Sequence, residues 1–280
     1  MGKIINVKEI IERKKLDLKE KIENLKKAGI NPKLVVIHAN KDAASDVYIS
    51  KKRKMCEELG ILEEEYDFEE NVKQEEILEL INKLNNDDSV HGILVQLPIY
   101  NHLITSEILE AISPKKDVDG FHPVNIGKVM QGVGGIAPCT PKGVMTILDE
   151  LGVDIEGKNA TVIGRSIIVG RPMAALLLNR GATVTICHSK TQELKEHTKN
   201  ADILVVAVGK PHLVTEDMVK DDAVVIDVGI NRVDGKLIGD VDTENVSKIA
   251  KYISPVPGGV GLTTVHTLME NVVELAEKSI

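Results

Sequence analysis

The chain is predicted to be an α/β protein of two α/β domains, each a parallel sheet with crossover helices. Three observations carry this. Short Val/Ile-rich runs alternate with segments of helical periodicity along all 280 residues. Aromatics make up only 2% and Trp is absent, so the core must rest on Ile, Val, Leu and Ala. A Gly-rich stretch, "QGVGGIAPCTP" (131–141), separates a first block from a more regular second one.

In the first block, "VKEIIERKKLDLKEKIENLKKAG" has helical spacing and stops at Gly29. "KLVVIHA" reads as a strand, "DVYISKKRKMCEELG" as a helix, "EEEYDF" as a short strand and "QEEILELINKLNND" as a helix. "VHGILVQL" follows as a buried strand ended by Pro98. The second block opens with the helix "PKGVMTILDELG". Strands "NATVIG", "TVTIC", "ADILVVAVG", "AVVIDVG" and "YISPV" follow, with helical segments between several of them. "TTVHTLMENVVELAEKS" closes the chain as an amphipathic helix.

A net charge of −8 argues against a general nucleic-acid binder, which concentrates cations on one face. Cys56, Cys139 and Cys187 are far apart and lack C-x-x-C spacing, as reduced structural thiols do. "MGKIINVKEI" has no apolar signal core, and no apolar run approaches the roughly 18 residues of a membrane span. The expectation is a cytoplasmic protein with no nucleic-acid or membrane partner.

"GVDIEGKN" (152–159) fits most of a G-x-x-x-x-G-K phosphate loop, but a helix precedes it and a strand follows. A phosphate loop needs the reverse order, so that the helix N-terminus faces the anion. This is a helix-to-strand turn. "VIGRSIIVGRP" (162–172) has the required setting, between the strand "NATVIG" and the helix "PMAALLLNRG". Gly164 lets the chain turn off the strand, Gly170 permits close approach of backbone, and Pro172 suits a first helical turn. The next strand ends in "CHSKT", with His188, Ser189 and Lys190 where an NAD site carries a carboxylate. With Arg165 in the turn, that favours NADP in a Rossmann-type, doubly wound sheet.

Tyr48 and Lys52 in "YISKK" are four apart on a predicted helix, an advance of about 400° that puts phenol and ammonium on one face. A lysine partly buried there loses basicity and can transfer protons. Gln96 ends a buried strand, where open sheets place ligand contacts. "KDVDGFHP" holds Asp117 and Asp119 but lacks the further oxygen ligands of a calcium loop, and no metal is expected. "PVPGGVG" is rigid at Pro255 and Pro257, then permissive, which suits backbone lying against a flat ligand.

Eight motifs in order, among them "YISKKRKMCEELG", "GILVQLP", "KDVDGFHPVNIGK", "VIGRSIIVGRPMA" and "YISPVPGGVG", give a resemblance over essentially the whole chain. The sequence resembles the bifunctional methylenetetrahydrofolate dehydrogenase/methenyltetrahydrofolate cyclohydrolase (FolD) family. That resemblance implies a folate-binding catalytic domain (1–139, joined by a C-terminal helix, 260–280), a Rossmann NADP domain (140–259) and a cleft between them. It implies that Lys52 is the principal catalytic residue, that Tyr48 stacks on the folate and orients Lys52, that Gln96 tunes Lys52, and that Asp119 anchors the pterin. Leu97, Pro98, Pro257, Gly258, Gly259 and Val260 would line the folate slot; Gly164, Arg165, Ser166, Ser189 and Ile230 would contact NADP. A homodimer is implied as well.

The chain departs from the family pattern at Leu262 and Thr263, which replace Pro and Met, at Tyr100, and at Asn40, where a glycine is usual. The alternatives are a monofunctional methylenetetrahydrofolate dehydrogenase, a shikimate-type NADP dehydrogenase and a non-enzymatic binder.

Overall fold

The computed structural model describes residues 2–41 and 43–279, with side chains throughout except at 43–48. The strands are β1 (Lys3–Ile4), β2 (Lys33–His38), β3 (Leu62–Asp67), β4 (Gly92–Gln96), β5 (Asn159–Ile163), β6 (Thr183–Cys187), β7 (Ile203–Val206), β8 (Val224–Asp227), β9 (Asn231–Val233), β10 (Lys236–Ile238) and β11 (Tyr252–Ile253). The helices are α1 (Val7–Lys27), α2 (Ala43–Leu59), α3 (Gln74–Asn85), α4 (Thr105–Ala111), α5 (Pro123–Gln131), α6 (Cys139–Glu150), α7 (Gly170–Asn179), α8 (Leu194–Thr198), α9 (Thr243–Val246) and α10 (Val260–Glu277). Among the described residues no helix is long and apolar enough to cross a membrane.

The chain forms two compact units. One contains Arg13–Lys128, Gly134–Cys139 and Val265–Ile280, and its parallel sheet has the order β3-β2-β4. The central strand β2 is apolar at successive positions because both its faces are covered. Leu34 and Val36 join Leu18 and Ile22 of α1, Cys56 of α2 and Val272 of α10, while Val35 and Ile37 join Ile77 and Ile81 of α3. The spacing of Ile77, Ile81 and Leu84 puts one stripe of α3 in that second core. Glu76 accepts the Lys73 amide at 3.0 Å and closes the N-terminus of α3.

The other unit contains Met1–Glu12, Val129–Val133 and Thr140–Thr264. Its sheet is parallel in the order β1-β11-β8-β7-β5-β6. Val162, Val205 and Ile226 pack on Val144, Leu148, Met173 and Leu177, while Ile163, Leu204 and Val225 face Val214 and Val246.

The compact units differ from the expected division, 1–139 and 260–280 against 140–259, at three places. The N-terminus belongs with the dinucleotide-type sheet, because β1 pairs with β11 and Ile5, Val7, Ile10 and Ile11 pack among Val144 and Ile147. Val129–Val133 also joins it, where Asn179 donates to the Val129 carbonyl at 2.7 Å. The first turn of α10 joins it too, with Val260 in the same core. The hairpin β9–β10 turns at Asp234 and Gly235, with φ of 48° and 77°, the left-handed pair that a two-residue hairpin needs.

Leu34→Ala should lower the unfolding free energy by about 2–5 kcal/mol, since Leu34 is fully buried at the centre of the smaller sheet. Chemical denaturation of both proteins measures the difference.

Candidate active site

In the smaller sheet, parallel pairing aligns the carboxyl ends of the three strands. His38 of β2 lies beside Gln96 of β4 on one side and Asp67 of β3 on the other. Alternation along β2 puts His38 on the same face as Leu34 and Val36, the face covered by α2. There the Lys52 ammonium donates to Gln96 Oε1 at 2.7 Å. Gln96 is fixed in turn, its amide donating to the Leu97 carbonyl at 2.8 Å. Asn40 spans the turn that follows, donating to the carbonyls of Gln96 at 3.4 Å and Pro98 at 2.6 Å. A glycine at position 40 could make neither bond. Lys52 and Asp119 are half-buried. Burial pushes the Lys52 ammonium below its usual range, against the opposing pull of Asp119.

The loop carrying Asp119 is built on Asp117. Asp117 is 3% exposed and accepts the amides of Gly120, Phe121 and His122 at 3.0, 3.2 and 2.9 Å. Asn125 Nδ2 adds a fourth donor at 2.9 Å. Asn271 of α10 holds the Val118 and Ala137 carbonyls at 2.8 and 3.2 Å. The Cys139 thiol donates to Asp119 Oδ1 at 3.6 Å. The Asp119 carboxyl is pushed up to about 6, mainly by burial, with Lys52 opposing and Asp117 adding. An amine made less basic, an oriented amide oxygen and a weakened acid form a proton-transfer arrangement. Asp117, Asn125, Cys139 and Asn271 were not expected as supports. Only the D-x-D-G spacing hinted at the first.

Lys52, Gln96, Leu97, Pro98 and Asp119 thus fall in one unit. Tyr48 lies within α2, but its side chain is outside the described residues. Pro257, Gly258, Gly259 and Val260 fall in the other unit. Gly258 has φ +93°, and a Cβ at Gly259 would collide with the Pro255 carbonyl. Val260 points into the core rather than offering a side chain to a ligand. Thr263, which departs from the family pattern, packs on Gly143 and donates to the Val260 carbonyl at 2.8 Å. Leu262 packs on the same core as Val260.

In the larger sheet the chain leaves β5 to one side for β6, then to the other for β7. Ligands of open α/β sheets bind at such a reversal, beyond the carboxyl ends of the strands. Gly164 stands there with φ +130°, and a Cβ on it would collide with the Ala207 carbonyl. A Cβ on Gly170 would collide with the Gly164 carbonyl. The turn therefore requires both glycines. Ser166 Oγ accepts the Val169 and Gly170 amides at 3.1 and 3.3 Å, which closes the entrance to α7 and explains a serine where a glycine is usual. Ile163 lies opposite Cys187, so the exposed Arg165 and the His188–Lys190 turn leave adjacent strand ends. Two cationic side chains and no carboxylate there fit the phosphorylated ribose of NADP. Ser189 and Ile230 are exposed at the same carboxyl edge.

Two buried acids, neither expected from sequence, shape that edge. Asp240 is fully buried and accepts the amides of Val208, Gly209 and Lys210 at 2.7, 2.9 and 2.7 Å. Asn231 donates to it at 2.9 Å. Asp227 accepts the amides of Gly229, Asp240 and Val241 at 2.9, 3.1 and 2.9 Å. Gly229 and Gly239 leave no room for a Cβ against these carboxylates. Burial nevertheless pushes Asp227 up to about 6.

Residues 5–119 match the family model for the tetrahydrofolate dehydrogenase/cyclohydrolase catalytic domain, and 138–280 match the NAD(P)-binding domain of the same family. The chain is 54% identical over 277 residues to the Bifunctional protein FolD of Acetivibrio thermocellus, covering 99% of this chain and 97% of that one. The crystal structure of the bifunctional FolD enzyme from Campylobacter jejuni is 50% identical, covers 100% of both chains and superimposes with a TM-score of 0.98. The Trypanosoma brucei methylenetetrahydrofolate dehydrogenase-cyclohydrolase, solved with NADP cofactor and inhibitor, is 36% identical, covers 99% of this chain and 98% of that one, and has a TM-score of 0.94.

Asp227 binds its proton more tightly folded than unfolded, since its value rises from 3.8 to about 6. Its contribution to stability is therefore complete below pH 3.8 and lost as pH rises through about 6. The stability of the wild type relative to Asp227→Asn should decline across that window and then stay level. Urea denaturation at a series of pH values measures it.

Proposed function

Because the chain belongs to the tetrahydrofolate dehydrogenase/cyclohydrolase family, we propose that it oxidises 5,10-methylenetetrahydrofolate with NADP+ and hydrolyses the methenyl product to 10-formyltetrahydrofolate. The observation that carries this reading is the Lys52–Gln96 contact of 2.7 Å at a lysine whose basicity burial lowers. A lysine poised in this way serves the second reaction, in which water adds to a cationic carbon and a ring opens, so that protons must move. Gln96 holds the amine in place, and Asp119 receives the N–H groups of the pterin. Leu97 and Pro98 line the folate slot.

NADP supplies the hydride acceptor for the first reaction. The residues that hold it are Gly164, Arg165, Ser166, Ser189 and Ile230, with Arg165 beside the His188–Lys190 turn favouring the extra phosphate. Hydride transfer depends mainly on alignment of the two carbons, so it depends less on Lys52 than hydrolysis does. The match to both family domains leaves a shikimate-type activity without support. The working protein is a cytoplasmic homodimer with no nucleic-acid or membrane partner.

Purified protein given methylenetetrahydrofolate and NADP+ should form NADPH without accumulating methenyltetrahydrofolate; the two absorbances are followed separately. NADPH with persistent methenyl compound would mean a dehydrogenase only, and no NADPH would refute the reading. Lys52→Met should abolish hydrolysis while retaining part of the hydride transfer. Arg165→Ala should raise KM for NADP+ by roughly 10–100-fold, the loss expected for one charge-assisted contact, and leave KM for NAD+ nearly unchanged. Steady-state kinetics with both dinucleotides reads the ratio.

A further inference from the structure

The turn between β5 and α7 is fastened to the start of that helix by several bonds. Ser166 accepts the Val169 and Gly170 amides at Oγ, and its carbonyl accepts the Arg171 amide at 3.0 Å. A Cβ on Gly170 would meet the Gly164 carbonyl and the Arg165 nitrogen, so helix and turn are in backbone contact. One further bond comes from a side chain: Arg171 Nε donates to the Arg165 carbonyl at 3.2 Å. Helical side chains lean toward the N-terminus of their helix, which brings the Arg171 stem back over the turn. Both partners are exposed, and an exposed hydrogen bond adds little to the stability of a fold because it replaces one to water. Its consequence is directional. In a planar trans peptide the N–H points opposite to the C=O. Holding the Arg165 carbonyl toward Arg171 therefore turns the Ser166 N–H the other way. Among the described residues the amides of Ser166, Ile167 and Ile168 donate to no protein acceptor. Successive free N–H groups in a turn that opens a helix attract an anion, and in open α/β sheets the diphosphate of a dinucleotide lies at this first turn.

We propose that Arg171 is a positioning residue for the dinucleotide: by holding the Arg165 carbonyl, its Nε–H aims the Ser166 N–H at the diphosphate. The inference rests on the cofactor reading given above, in which Arg165 and Ser166 contact NADP. No ladder bond holds the Arg165–Ser166 peptide, since it lies after β5 ends at Ile163 and before α7 begins at Gly170. Reversed, the same peptide would present the negative end of its carbonyl to the phosphates. The hydrogen-bond donor of Arg171 does this work, and its charge does not. The two arginines then act on different parts of the ligand. Arg165 offers its side chain to the phosphate on the ribose, which only NADP carries. Arg171 sets the peptide that meets the diphosphate, which NADP and NAD share. Loss of Arg171 therefore weakens both dinucleotides alike, whereas loss of Arg165 weakens NADP alone.

Two substitutions separate donor from charge. Arg171→Gln puts an N–H where Nε stands and removes the charge, while Arg171→Met keeps the length and removes the donor. Calorimetric titration of the whole protein with NADP+ and with NAD+, in the absence of folate, reads both. Arg171→Met should raise Kd for the two dinucleotides by the same factor, about 3–10-fold, as expected for one neutral hydrogen bond. Arg171→Gln should bind both within about twofold of the wild type. The Ser166 amide proton, followed by NMR, should move downfield on addition of either dinucleotide in the wild type and in Arg171→Gln, and much less in Arg171→Met. Hydrolysis of methenyltetrahydrofolate uses no dinucleotide and should run at the wild-type rate in both variants. An unchanged Kd in Arg171→Met, an equal loss in Arg171→Gln, or a loss confined to NADP+ would each overturn the proposal. Absence of turnover in the wild type would overturn the functional reading instead, while the titrations would still decide the role of Arg171.

Discussion

Parallel strand pairing is the constraint from which the rest of this molecule follows. A parallel pair cannot be closed by a tight turn, so each strand is followed by a crossover that returns the chain to the starting edge. All strands then end at one side of their sheet, and the loops that follow them gather there. In the smaller sheet this brings Gln96, His38 and Asp67 into a single row beneath α2. In the larger sheet it aligns the glycine turn after β5 with the His188–Lys190 turn after β6 and the Val208–Lys210 loop after β7. Chemistry-bearing residues distant in sequence become neighbours because they share that edge.

Those loops must hold their shape without a sheet to support them, and the chain uses buried carboxylates for this. Asp117, Asp227 and Asp240 each accept at least three backbone amides. Several amides directed at one carboxylate offset much of the desolvation of its charge. Each acid also makes the amides that surround it depend on one another. The group around Lys52 is arranged differently. Its ammonium has an amide oxygen at 2.7 Å, while both ring nitrogens of His38 have no partner. The amides do not cancel burial at Asp227, which is still pushed up to about 6, and burial likewise lowers the basicity of Lys52.

The main helices and strands were legible because burial imposes periodicity: Ile77, Ile81 and Leu84 in α3, and the unbroken "LVVI" of β2. The helix-to-strand turn at 152–159 was legible from order alone, and it lies between α6 and β5. The elements that escaped are short. The two-residue strand β1 exists only by pairing with β11, some 250 residues away. Helices α4 and α5 have too few turns for a stripe to stand out. Hairpin β9–β10 carried a readable signal in Asp234-Gly235, but its three-residue strands did not show alternation.

Sequence by itself determined the α/β class, the glycine turn after β5, the cationic setting of that turn, and the identity of Lys52, Gln96 and Asp119 as candidates. All but Asp119, which the family resemblance supplied, are written in residue type and local spacing. Only the tertiary structure decided which partners those residues meet. The Lys52–Gln96 bond joins residues 44 apart, and the Asn271–Val118 bond joins residues 153 apart. No periodicity encodes such a distance. Nor could local pattern show that Asp240 braces the Val208–Lys210 loop or that Ser166 closes a helix. Burial and electrostatic environment belong to the packed chain, because they depend on every element that covers a group and not on its neighbours in sequence.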